Sequence, residues 1–157
     1  MKKLAIGVDI GGTNTAFGLV DDQGNMYGES VISTRQYPDF DQYIEELYIG
    51  IQSLLKQLDI EHELIGVGIG APNANYYRGT IENAANLVWK GVVPVVEKLQ
   101  RFFPSVPVIM TNDAKAAAVG EMVYGGAKGM KDFIVITLGT GLGSGFVANG
   151  QIIYGHD

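Results

Sequence analysis

The chain has 157 residues, a net charge of −6, 46% hydrophobic residues and no cysteine. That length suits one domain, or one domain and part of another, with room for a buried core; the composition excludes disorder, and the missing cysteines exclude disulfides and thiol chemistry. Scattered Lys and Arg under a net negative charge argue against nucleic acid as a partner, and no apolar run has the length of a membrane span or secretory leader, so a cytoplasmic protein is expected.

Residues 3–9 (KLAIGVD) are an apolar run ending in an acid and two glycines, the pattern of a buried strand. Residues 14–20 predict a second strand, DDQGN at 21–25 a turn, and 26–35 a third strand, together a three-stranded meander. From Phe40, apolar residues at Ile44, Leu47, Tyr48, Ile51, Leu54, Leu55 and Leu58 form one helical stripe. A buried strand at 64–72 runs into a Gly/Pro loop, and 73–91 reads as irregular. A second helix is expected to carry Val92, Val95, Val96, Leu99, Phe102 and Phe103. Then come a short strand at 106–110, a third helix with a polar start in NDAKAAAVGEMVYG, and a buried strand at 132–138. Strands alternating with helices predict an α/β sheet with helices on its faces.

The end of the chain begins the pattern again. Placing Gly11 on Gly139 also places Val8 on Ile136 and Ile10 on Leu138, and DDQGN finds a counterpart in ANGQ at 148–151. Apolar strand, tight glycine turn, apolar strand, Asn/Asp-Gly turn and third strand occur twice, which points to a duplicated unit. The expected division is a first lobe at residues 1–122 and the opening strands of a second lobe at 123–157.

Four stretches could carry chemistry. In DIGGTN, glycines at a sharp turn let backbone N–H groups approach a phosphate, Thr13 and Asn14 add donors, and Asp9 could hold Mg²⁺ through water. The same letters also make a plain hairpin turn. LGTGLGSG at 138–145 matches neither a Walker loop nor a dinucleotide fingerprint. It reads as a second phosphate hairpin, or as glycines needed for close packing. In TNDAKAAAVGE, Asn112 or Asp113 begins a helix, so either reads as an N-cap, and Asp113 reads alternatively as the base that takes a proton from an attacking hydroxyl. Asn83, Asn86 and Trp89 stand in an irregular stretch whose amides suit sugar hydroxyls, or simply turns.

Taken in order, DIGGT, G-x-G-x-P, G-x-I…N-L-x-W, N-D-A…A-A-x-G-E and T-x-G-T-G-x-G-x-G resemble the ROK family of sugar kinases and sugar-responsive repressors over essentially the whole chain. The resemblance implies the actin/hexokinase/Hsp70-like ATPase fold, with two RNase-H-like lobes and ATP in the cleft. It implies Asp9 near Mg²⁺, a first phosphate loop of Gly11, Gly12, Thr13 and Asn14, and a second of Thr137, Gly139, Thr140 and Gly141. Asn86, Asn112 and Asp113 match sugar-contacting positions, with Asp113 as the base. Glucose, phosphorylated on its 6-OH, is the favoured substrate; N-acetylglucosamine, N-acetylmannosamine and fructose stay open, as does a non-catalytic sugar sensor.

Two positions depart from the family pattern: Asn73 follows Pro72 where glycine is usual, and Lys115 replaces a second Asn. The family's later sugar-gripping Glu/His pair and zinc cluster find no match here, so zinc is expected only in a C-terminal part beyond these residues, and these 157 residues alone are expected to be inactive. His156 is read as a loop residue, His62 as exposed, and a homo-oligomer is expected.

Overall fold

A computed structural model describes residues 1–139 and 141–155; Thr140 and His156 lie outside them. β1 (Lys2–Ile10), β2 (Asn14–Val20) and β3 (Met26–Ser33) form the expected antiparallel meander. The turn between β2 and β3 is organised by the buried Asp21. Its carboxylate accepts from the backbone N–H of Gln23 and Asn25, the Asn25 amide and the Tyr27 hydroxyl, and pairs with Lys2 at 3.0 Å.

α1 (Phe40–Gln57) starts at Asp39, whose carboxylate accepts from Gln42 N at 3.0 Å. It lays Tyr43, Ile44, Leu47, Ile51 and Leu54 onto the sheet. Each such side chain contributes roughly 1.5–3 kcal/mol of hydrophobic stabilisation. A methyl at Gly50 would sit 2.6 Å from the Phe17 ring, so the glycine lets the helix settle on β2.

β4 (His62–Ala71) returns parallel to β1. His62 begins this strand half-buried, not exposed. Residues 73–93, read from sequence as irregular up to 91, instead hold a small antiparallel sheet of β5 (Ala74–Asn75), β6 (Thr80–Glu82) and β7 (Val92–Val93). The expected helix from Val92 is shorter: α2 spans Val95–Gln100. Pro94 disfavours the helical region at Val93 before it, so Val92 and Val93 pair as strand. Phe102 and Phe103 lie beyond the helix yet still pack on the core.

β8 (Val108–Asn112) is parallel to β4, giving a five-stranded order β3-β2-β1-β4-β8. α3 (Asp113–Val123) follows at once, then β9 (Phe133–Leu138), β10 (Leu142–Ala148) and β11 (Gln151–Ile152). These last three form a second meander, closed at Asn149–Gly150, both with positive φ, as a two-residue hairpin requires.

The core lies on one face of the large sheet, under α1 and α2. On the other face α3 covers only the β4–β8 end. Gly18, Gly7 and Gly68 pair in register as a row there, and the open groove above them has a volume of about 910 Å³.

Candidate active site

The three parallel strands end together, and in α/β sheets generally ligands bind beyond such carboxyl ends. Asp9, Gly70 and Thr111 form one register row across β1, β4 and β8. Thr111 Oγ1 is buried without a hydrogen-bond partner among the described residues. A methyl at Gly70 would lie 3.3 Å from Ala116 Cβ and 3.5 Å from Asp113 Cα, so this glycine seats the start of α3 against the strand ends.

That helix start settles which residue caps. Asn112 is the N-cap, its side-chain oxygen accepting from Ala114 N at 3.0 Å. Asp113 is the first helical residue; its Oδ1 accepts from the same N–H at 2.8 Å, and the side chain stays exposed. The two side chains thus share the Ala114 N–H, with Asn112 in the N-cap position. Asp9 lies above the ordinary carboxylate range, first through partial desolvation and then through the Asp113 charge. The Asp113 charge beside the partly desolvated Asp9 makes a local excess of negative charge. A divalent cation fits there. Among the described residues no group of three His, Cys, Asp or Glu is placed to hold a metal.

The first glycine turn is built by contacts as much as by openness. Gly11 N donates to Asn14 O at 2.9 Å, and a methyl at Gly11 would meet the same oxygen at 2.7 Å. A methyl at Gly12 would lie 2.5 Å from the Asn86 carbonyl oxygen. Thr13 and Asn14 present exposed side chains beside them.

The four alternating glycines of the second hairpin divide into two pairs. A methyl at Gly145 would lie 2.6 Å from Ala118 Cβ and 2.8 Å from Ala114 O, and one at Gly143 would overlap the Thr137 hydroxyl and Ala114. These two are packing glycines that let α3 lie on β10. Gly139 and Gly141 face open space, and Gly139 N closes the tip by donating to Gly141 O at 3.0 Å. Thr137 pairs with Gly143 in the ladder. Thr140, assigned to the same tip from sequence, lies outside the described residues.

Between the small sheet, the start of α3 and β10 lies a polar cleft of about 530 Å³, lined by Asn73, Asn75, Glu82, Asn112, Lys115 and Ser144 among others. Sequence reasoning found Asn112 but not Asn75, Glu82 or Ser144. The signal available was Thr-Ile-Glu at 80–82, a short alternation between Gly79 and Asn83. Glu82 Oε1 accepts from Thr80 Oγ1 at 2.8 Å and Asn75 Nδ2 at 3.2 Å. Asn73 has φ +50°, and its amide donates to the Glu82 and Asn83 carbonyls. Asn tolerates the left-handed region, so it can stand where a glycine is usual. Lys115 Nζ donates to the Tyr154 carbonyl. Asn86 does not line this cleft; its backbone meets Gly12.

A model of the ROK family matches residues 5–157. The chain is 40% identical over 154 residues to a glucokinase of Streptomyces coelicolor, covering 98% of this chain and 46% of that protein. It is 28% identical to a xylose repressor of Caldicellulosiruptor bescii, covering 96% of this chain and 38% of that protein. Among solved structures it is similar to a ROK family glucokinase from Streptomyces griseus in complex with glucose and AMPPNP, with a TM-score of 0.81 and 34% identity over 98% of this chain and 47% of that one. The chain spans about half the length of the curated relatives it matches. The shared fold is the actin/hexokinase-like ATPase fold, with its mixed five-stranded sheet.

Proposed function

The chain belongs to the ROK family, and from that premise we propose that it is the N-terminal part of an ATP-dependent hexose kinase that phosphorylates the 6-OH of glucose. One observation carries this reading. Asp113 opens α3 directly after the carboxyl end of β8, with an exposed side chain whose charge acts on Asp9. A group so placed can take a proton from a bound hydroxyl as its oxygen attacks the γ-phosphate.

The other assigned residues divide the work. Asn112 and Asn86 would hold sugar hydroxyls. Asn112 keeps its side-chain NH₂ for this, because its oxygen is engaged by Ala114 N. Gly11, Gly12, Thr13 and Asn14 would border the phosphates on one side, with Thr137, Gly139, Thr140 and Gly141 on the other. Gly11 and Gly139 serve by shaping their turns, since each spends its own N–H closing one. Asp9 would orient Mg²⁺ through water, and the ion, when bound, offsets negative charge on the transferring phosphoryl group. Catalysis is then mainly positioning and electrostatics. Residues 1–122 would be the first lobe and 123–157 the opening of the second, with α3 packed against both sheets.

The proposed setting is the cytoplasm, where ATP is supplied; no described helix is long and apolar enough to cross a membrane. Self-association is proposed through the second meander, where Ile136 is 62% and Leu138 84% exposed. The test of function is a coupled assay of the full-length protein with ATP, Mg²⁺ and a panel of glucose, N-acetylglucosamine, N-acetylmannosamine and fructose. The highest kcat/KM is expected for glucose. Turnover of none of them, with a DNA shift at physiological salt, would establish the sensor reading that the repressor relative represents.

A further inference from the structure

The loop that presents Asn86 is closed at its neck by Asn83 N donating to Gly91 O at 2.8 Å, both residues having positive φ. Ala84, Leu87 and Trp89 are buried, which leaves Asn86 exposed between them. Trp89 is the anchor. Its indole N–H donates to Tyr37 O at 2.9 Å, and its ring packs on Tyr43 at 4.4 Å and on Phe40 at 5.1 Å between centroids.

Tyr43 reaches the other loop as well. It is fully buried, and its hydroxyl lies 2.7 Å from Thr15 Oγ1, which lies 2.9 Å from Thr34 Oγ1. Thr15 directly follows the Gly11–Asn14 turn, and Thr34 N donates to Thr13 O at 2.9 Å within that turn. The two loops also touch directly, Gly12 against the Asn86 carbonyl. A phenylalanine would fill the Tyr43 site with no hydroxyl to satisfy. Three buried hydroxyls in a row are costly unless mutually bonded, and bonded they specify one arrangement.

Resting on the kinase reading, we infer that Tyr43 is a positioning residue that couples the sugar loop to the phosphate turn, through its ring to Trp89 and its hydroxyl to Thr15 and Thr34. Sugar and nucleotide then bind with positive cooperativity, because the loop arrangement that favours one ligand favours the other.

Calorimetry on the full-length protein tests this by measuring the Kd of AMPPNP with and without saturating glucose. Wild type is expected to bind AMPPNP about 5–150-fold tighter with glucose present. Tyr43→Phe and, independently, Thr15→Val are expected to cut that ratio at least about threefold, while Thr15→Ser keeps it. Thr15→Val decides the matter if Tyr43→Phe does not fold. A lowered Tm with an unchanged ratio in the hydroxyl-deleted variants means these groups are merely structural, and overturns the inference. A wild-type ratio of one in a protein that turns over glucose also overturns it and leaves the kinase reading standing. Absence of wild-type turnover on every hexose removes the kinase reading itself, and the inference with it.

Discussion

Asp9 is held above the ordinary carboxylate range first by partial desolvation and then by the charge of Asp113, which follows a strand two places away in the sheet. A raised folded-state value means that the folded chain binds this proton more tightly than the unfolded one. The contribution to stability is therefore complete below the ordinary value of 3.8 and is lost as pH rises through the raised value. At pH 7 the ionised Asp9 opposes folding. Asp9→Asn is expected to raise the ligand-free Tm at pH 7, with the gain vanishing below the ordinary Asp range, and to lower Mg²⁺-dependent turnover by about 10²–10³-fold. Thermal scans across pH and a Mg²⁺ titration of the full-length protein measure both arms.

Asp113→Asn separates chemistry from architecture. Asn112 supplies the helix cap, so α3 stays in place. The expected result is a fall in kcat of about 10²–10⁴-fold with the AMPPNP Kd within twofold or so of wild type. Wild-type kcat in this variant would falsify the base assignment.

The second hairpin offers a paired test. Gly145→Ala drives a methyl into Ala118 and the Ala114 carbonyl, so a loss of about 1–3 kcal/mol in stability is expected from urea melts. Gly139→Ala meets nothing in the ligand-free fold. Its expected signature is a raised KM for ATP with unchanged urea stability.

Gly12→Ala places a methyl 2.5 Å from the Asn86 backbone carbonyl oxygen. The turn and the loop must part. The expectation is a rise in KM for both sugar and ATP, with stability lower by about 1–3 kcal/mol. If only the ATP constant moves in steady-state assays, the contact does not link the two loops.

Asp21 sets the acid limit. The Asn25 side-chain amide first, with the backbone N–H groups of Asn25 and Gln23 and the Lys2 ammonium, holds its carboxyl well below the usual range. A lowered value contributes stability above the unfolded value of 3.8, and that stability is lost as pH falls toward the folded one. Asp21→Asn is expected to flatten the loss of Tm below the ordinary Asp range, which scanning calorimetry between pH 2 and 5 would reveal.

Much of this protein was legible from residue order. Alternation and apolar runs located β1, β2, β4, β8 and β9, and the stripe from Phe40 located α1, because burial on one face leaves a period in the letters. The second meander was legible as a repeat. The small sheet of β5, β6 and β7 was not, because its strands have two or three residues and too little pattern to show.

The sequence by itself determined the family and the chain order of the longer strands, because each is written in local spacing. Only the tertiary structure decided what each glycine is for. Gly12 makes room for the Asn86 carbonyl, Gly143 and Gly145 make room for α3, and Gly139 and Gly141 face open space. The letters are identical, and the difference lies in what folds against them from far along the chain. The same holds for Asn112 and Asp113. Either could cap a helix, and the backbone geometry at the end of β8 makes Asn112 the N-cap and Asp113 the first, exposed residue of α3.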